Sequence, residues 1–354
     1  MRETARRAFV AAIVIGAVVV GALALWKLKL VISVLFLAFI IAAAMRPGVE
    51  ALRRRRVPRG VGVLVHYLVL FALVGLLFYF VVPAASNQIR EAVPTSSSEL
   101  ETAAQESEGV KQRVLLEVQE RLNRLPSADE FAERAVDPAV EITVRAFEIM
   151  VGIFFTLACA AYWIFERDRA VNLVTSLLPR SRRKMVSDTW DLIDAKLGAY
   201  VRGQLLLIAF VATMLSVIFW AIDLPFWLLL AIFAGVVEII PVIGPRAAGA
   251  LAVGVGLTAS WKVALAAGIA VLVVRLFEDY VVIPRVLGDA VGLTPLTVLV
   301  AVSSVAILFG GFAVLLAIPL AAVLATLIDV LIRHRDPSRE DVPTVLFPAK
   351  DVEA

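Results

Sequence analysis

Long apolar runs separated by short charged blocks set the pattern of the chain. Uninterrupted apolar stretches occupy residues 8–26, 30–45, 60–82, 149–165, 203–222 and 224–244. Most approach the roughly 20 residues that a helix rising about 1.5 Å per residue needs to cross a hydrocarbon core of about 30 Å. They predict six membrane helices. Basic residues precede the first run and small residues lie near its end, as in a secretion signal. The second run begins only a few residues later, however, which fits a retained helical hairpin.

Between Pro83 and Arg145 the pattern changes to twelve acidic against seven basic residues, with little continuous apolar sequence. This predicts a water-exposed insert. Two capping-box pairs, Ser98 with Glu101 and Ser127 with Glu130, mark helix starts, because hydroxyl and carboxylate can each satisfy a free helix-end N–H. Val110, Val114, Val118, Leu122 and Leu125 recur at helical spacing and form an apolar stripe. That stripe could pack within the insert, lie on the membrane surface or meet a neighbouring subunit.

The last third reads differently again. From Gly235 to Pro319 the apolar sequence is broken by ten glycines and five prolines. Proline removes a backbone donor and clashes with the preceding turn, and lipid cannot satisfy the groups so freed. Two segments concentrate the breaks: VVEIIPVIGPRAAG at 236–249 and FEDYVVIPRVLGDAVG at 277–292. Each places an acid before Ile-Pro, a glycine after the proline and an arginine nearby. Between them, apolar pieces at 247–258 and 263–274 would extend only about 18 Å as helices, predicting a re-entrant hairpin with its tip at 259–262 or two thinned, tilted crossings. Runs 293–309 and 312–332 then supply the last two crossings around Gly310-Gly311.

Composition agrees. With 354 residues, 61% apolar and 18% charged, and a mean hydropathy of +0.90, a water-soluble globule is excluded. One cysteine and two histidines leave too few ligands for a disulfide framework or a zinc site, and no cofactor is expected. Arginine gathers in short blocks, including Arg53 to Arg56 and Ser181 to Lys184, which read as positive-inside anchors rather than a nucleic-acid site. They place both termini in the cytoplasm and the insert outside. No HExxH, Ser-His pair or phosphate-binding glycine loop suggests an enzyme.

The candidate pathway residues are Glu238, Arg246, Glu278, Asp279 and Arg285. An ionised Glu238 facing lipid would be expensive, so it must face protein or water, either paired structurally with Arg246 or a helix end, or serving as a proton or cation site. The adjacent Glu278 and Asp279 could not both stay cheaply charged in a dry site. Arg246 and Arg285 could hold an oxygen-rich solute or serve as anchors. Pro241, Gly244, Pro245, Pro284, Gly288 and Pro295 are read as shape-setting elements of the broken helices. His66 and Cys159 read as structural, and Trp26, Trp163, Trp220 and Trp227 as interfacial markers of helix ends.

The runs IPVIGP at 240–245, EDYVVIPRVLG at 278–288, GLTPLTVLVAV at 292–302 and LFGGFAVLLAIPLAAV at 308–323 together resemble the autoinducer-2 exporter (AI-2E) family of bacterial membrane transporters. Where the family often carries an amide before Ile-Pro, this chain has Glu278-Asp279-Tyr280. The resemblance implies residence in the bacterial inner membrane and export of small polar signals or metabolites, with autoinducer-2 as namesake. It also implies homo-oligomers such as pentamers. Relatives assigned to cation/proton antiport keep that alternative open, and a non-transporting scaffold acting through the insert is another.

The expected fold is therefore an all-α polytopic membrane protein of about eight transmembrane helices plus a re-entrant helical hairpin, with an extracytoplasmic helical insert. Its parts are residues 1–83 (three helices), 84–145 (the insert), 146–202 (a fourth helix and a basic cytoplasmic segment), 203–332 (a transport core with broken helices) and 333–354 (a cytoplasmic tail). Its expected partners are the lipid bilayer, a small polar solute and copies of itself.

Overall fold

A computed structural model of the protein describes residues 2–92, 128–240, 243–286, 293–340 and 342. Almost all of these are helical, with no β-strand among them: the chain is an all-α polytopic membrane protein. Helices α1 (Arg2–Lys27) and α2 (Lys29–Arg54) follow one another, and α3 (Arg59–Ala92) completes the first group. The next described helix, α4 (Ala128–Ser176), begins within the stretch 84–145 read as the insert, and α5 (Arg180–Ala221) follows it. Both run well beyond their apolar cores into charged sequence. The stripe 110–125 and the pair Ser98 and Glu101 lie outside the described residues, as does Ser127, immediately before the start of α4.

Among the described residues, five stretches are long and apolar enough to cross a membrane: Lys29–Arg54, Arg59–Gln88, Val144–Ser176, Arg180–Ala221 and Gly311–Leu331. Eight crossings were expected, and the difference arises chiefly in the last third. The run 224–244 is not one helix. It forms α6 (Trp227–Val237), only 11 residues long, before the chain turns at Ile239 and Ile240. The next two helices are longer than the twelve-residue apolar pieces: α7 (Ile243–Ala259) and α8 (Trp261–Phe277) have 17 residues each, about 25 Å of rise. Pro245 lies in the first turn of α7, where the missing N–H has no intrahelical partner to lose, and Arg275 is accommodated within α8.

Helices α7 and α8 form an antiparallel hairpin about Ser260, whose hydroxyl accepts from the Val263 N–H at 3.2 Å as an N-cap. The tip thus falls at the predicted place. At Gly256 a Cβ would come within 2.6 Å of the Ala264 Cα, so the two backbones approach as closely as small residues allow. One core joins this hairpin to α5 and α6 through Val211, Leu215, Phe219, Ala231, Ala252 and Ala267. It is rich in alanine, as membrane helix packing is when close contact replaces the hydrophobic effect.

The chain closes with α9 (Ile283–Val286), α10 (Pro295–Phe309), a 3-10 stretch at Gly311–Leu316 and α11 (Ala317–Leu331). Gly310, at φ +90°, ends α10 in a conformation open chiefly to glycine, so the predicted Gly310-Gly311 junction holds. Pro295 does not break a helix but starts one, behind an N-cap from Thr294 to the Thr297 N–H at 3.3 Å.

A second core packs α2, α3 and α4 through Ala38, Ala42, Val49, Val63 and Ala160, with Cys159 alongside as an apolar packing residue. Trp163 does not mark a helix end. Its ring meets Phe39 edge-on at 5.3 Å and stacks on Trp190 at 6.1 Å, linking α2, α4 and α5. His66 bonds the Gly62 carbonyl of its own helix at 2.8 Å, as a structural histidine does. Much of α1 and α3 presents exposed apolar side chains, a surface only lipid or another apolar partner can cover.

Candidate functional site

The break after α6 and the end of α8 meet at one residue that sequence reading overlooked. Arg275, on the last turn of α8, directs Nη1 to Glu238 Oε1 at 2.8 Å and to Glu278 Oε2 at 3.0 Å, while Nη2 reaches Asp279 Oδ1 at 3.1 Å. Glu238, Glu278 and Asp279 therefore share one cation. Glu238 pairs with Arg275 and not with Arg246, which was one of the partners open to it and sits exposed in the first turn of α7. Arg285 is likewise exposed. A lone guanidinium in VLVVRLF, placed three and four residues before two acids, was the available signal.

Local backbone chemistry sets these positions. Glu238 caps α6, and its own carbonyl accepts from Gln204 Nε2 of α5 at 3.1 Å, which supplies a partner to a helix-end carbonyl. Beyond it, Gly244 N donates to Ile240 O at 2.9 Å. The chain there folds back so tightly that a Cβ on Gly244 would overlap the Val237 carbonyl oxygen. Gly244 is thus a shape-setting residue through close approach. Pro241 and Gly288 lie outside the described residues.

The second predicted break takes another form. Residues Glu278–Val282 make a π turn, in which the Ile283 N–H bonds the Glu278 carbonyl five residues back. Pro284 has no N–H to offer to Tyr280, so the ladder cannot continue in ordinary register there. The helical path nevertheless runs on into α9. A π turn inserts one residue into the helical winding, so α9 is rotated relative to the helix before the turn.

Burial then makes the charge count consequential. The side chains of Glu278 and Glu238 are 2% and 8% exposed, against 30% for Arg275 and 41% for Asp279. Glu278 Oε1 finds no hydrogen-bond partner among the described residues. Three carboxylates face one guanidinium, leaving two negative charges uncompensated when all are ionised. Such a cluster in a low-dielectric core favours an added proton or cation. In this conformation the two buried acids pair with Arg275, while Arg275 and Asp279 remain partly exposed.

A separate ionic knot joins α2, α4 and α5. Arg167 Nε lies 2.9 Å from Asp194 Oδ2 and its Nη2 bonds Asp191, while Arg46 Nη1 reaches Asp194 Oδ2 at 3.0 Å. Beside it is a cavity of about 20 Å³, lined by Arg46, Glu50, Arg59, Trp163, Arg167 and Asp194 among others. That is room for a water molecule but not for a solute. No cluster of three or more potential metal ligands occurs among the described residues.

Residues 11–333 match the family model described as AI-2E family transporter. "Putative transport protein YrrI" of Bacillus subtilis is 25% identical over 320 residues, covering 87% of this chain and 88% of the relative. "Putative transport protein MT0215" of Mycobacterium tuberculosis is 26% identical over 345 residues, covering 94% and 91%. A second Bacillus subtilis relative, "Putative transport protein YueF", reaches 32% identity over a shorter 162 residues, 46% of this chain and 44% of its own.

Proposed function

The chain belongs to the AI-2E family of transporters, and from that membership we propose that it exports a small polar signalling molecule or metabolite, similar to autoinducer-2, in exchange for a proton or cation held at the Arg275 cluster. The carrying observation is the charge arrangement: Glu238, Glu278 and Asp279 converge on a single guanidinium beside an alanine-rich core. Loading a cation there would relieve repulsion between carboxylates and loosen their hold on Arg275. The α7–α8 hairpin could then move against α5 and α6, opening the site to one side in turn. The basic blocks at Arg53 to Arg56 and Arg180 to Lys184 would face the cytoplasm of a bacterial inner membrane, with both termini on that side. Homo-oligomers, pentamers among them, would cover the exposed faces of α1 and α3.

A second reading, cation/proton antiport without an organic solute, draws on the unpartnered Glu278 Oε1, an acceptor ready for an ion. Purified protein in liposomes separates the two. Release of a polar solute driven by an imposed proton or cation gradient supports export, whereas cation-for-proton exchange with no solute present supports antiport. If neither flux exceeds that of protein-free vesicles under any gradient, both readings fail.

A further inference from the structure

Lys196 is an unusual lysine. It lies on α5 at 6% exposure, and an ammonium removed from water needs acceptors. It finds Glu340 Oε1 at 2.7 Å and the Thr326 hydroxyl of α11 at 3.3 Å. Glu340 belongs to a segment that follows α11 and folds back over α5. Asp336 opens that segment by accepting from the Ser338 N–H at 3.0 Å, capping the 3-10 turn Pro337–Arg339. Two residues after Glu340, Val342 is buried at 8% exposure against Leu192 and Ala199, with Ala195 and Val286 packed alongside.

The positions share a geometry. Leu192, Ala195, Lys196 and Ala199 are spaced i, i+3, i+4 and i+7, so they form one face of α5. Val286 ends α9, eight residues beyond Glu278 along a helical path interrupted only by the π turn. Gln204, which holds the Glu238 carbonyl, stands two turns further along the same α5. One segment therefore spans a helix that supports the site and the end of the helix that carries two of its acids.

We propose that residues 336–340 together with Val342 form a releasable strap, which clamps the Val286 end of the α8–α9 unit to α5 and must loosen when the Arg275 cluster rearranges. The Lys196–Glu340 pair acts as its buckle, because undocking the segment leaves a buried ammonium without its carboxylate. Seating of Val342 supplies the apolar half of the hold. The coupling half of this inference rests on the reading of the Arg275 cluster as the moving element, while the docking half does not, and the test addresses them separately.

The test uses the full chain with Cys159→Ser and Val342→Cys, and measures the maleimide labelling rate in liposomes. Slow labelling is expected in this parent. Glu340→Gln and Lys196→Gln should each accelerate it about fivefold or more, whereas Arg339→Gln, altering an exposed side chain, should not. Linkage between sites is reciprocal, so Glu278→Gln or Arg275→Gln at the cluster should also change the labelling rate, again by about fivefold. Circular dichroism and gel filtration confirm folding, and the isosteric Glu278→Gln serves if Arg275→Gln does not fold. Fast labelling in the parent, or no response to Glu340→Gln and Lys196→Gln, overturns the strap. A response to those two but not to either cluster variant overturns the coupling. The full labelling pattern in protein that moves no solute or ion supports the strap while removing the transport reading.

Discussion

The guanidinium of Arg202 donates to the Ala44 carbonyl at 3.1 Å, across the point where Pro47 interrupts the ladder of α2. Pro47 has no N–H for the Ala43 carbonyl one turn before it. That oxygen faces Gly198 of α5, where a Cβ would lie only 2.5 Å away. Arg202 thus bonds the carbonyl next to the one that Pro47 leaves without a helical donor, and Gly198, one turn away on α5, allows the close approach of the two backbones. Replacing Arg202 with leucine should cost about 1–3 kcal/mol, the range for stranding a buried hydrogen-bonding group. Arg202→Lys should recover part of the loss. Thermal unfolding in detergent checks both, and an unchanged midpoint for Arg202→Leu would show that this hydrogen bond does not hold α2 to α5.

Close approach at Gly244 gives a sharper contrast. A methyl group there collides with the Val237 carbonyl, while Gly254 on the same α7 has open space around its Cβ position. Gly244→Ala should therefore destabilise by about 1–3 kcal/mol through overpacking at the α6–α7 turn. Gly254→Ala should be neutral or stabilising by up to about 1 kcal/mol, as expected for a helix-interior glycine. If the two variants melt together, the tight turn is not a constraint on this protein.

Much of this arrangement could be read before any coordinates, for reasons that particular residues make plain. Apolar runs located the helices because lipid forces backbone groups to bond within a helix, and Glu238, Glu278 and Asp279 stood out because acids are costly in such runs. Other relationships stayed hidden. Arg275 went unread, since its role depends on a residue 37 positions away in sequence, and although the break at 236–249 was legible, the tertiary packing that carries Glu238 from it to Arg275 was not. Pro284 was legible as a disruption, but whether it breaks a helix or shifts its register depends on whether Ile283 can reach the Glu278 carbonyl. Buried lysine chemistry at Lys196 was equally invisible, because its partner Glu340 lies 144 residues away.

Removing the shared cation should be worse than removing either acid. Arg275→Gln strands Glu238 and Glu278 together, and breaking a buried pair costs up to about 3–5 kcal/mol, less here because Arg275 is 30% exposed. Glu278→Gln instead reduces the negative excess and leaves Glu238 and Asp279 on Arg275. It should be close to neutral, and combining it with Arg275→Gln should recover part of the arginine loss. A double-mutant cycle by thermal unfolding measures this. Additive effects would mean that the two side chains are not energetically coupled.

Protonation gives the last expectation a definite sign. Glutamine resembles protonated glutamate, so Glu278→Gln mimics a cluster that is always loaded at that position. At acidic pH, where the native carboxylate also holds its proton, variant and native flux should converge. As pH rises, native flux should change while the variant profile flattens, and the gap should widen towards the alkaline side. Glu238→Gln should behave similarly, both acids being buried. Asp279→Asn should shift the profile least, because its side chain is 41% exposed and water already screens its charge. The measurement is the initial rate of solute or cation flux in liposomes across a pH series. Native-shaped profiles in both glutamine variants would remove Glu238 and Glu278 from proton coupling, leaving the cluster with a structural role.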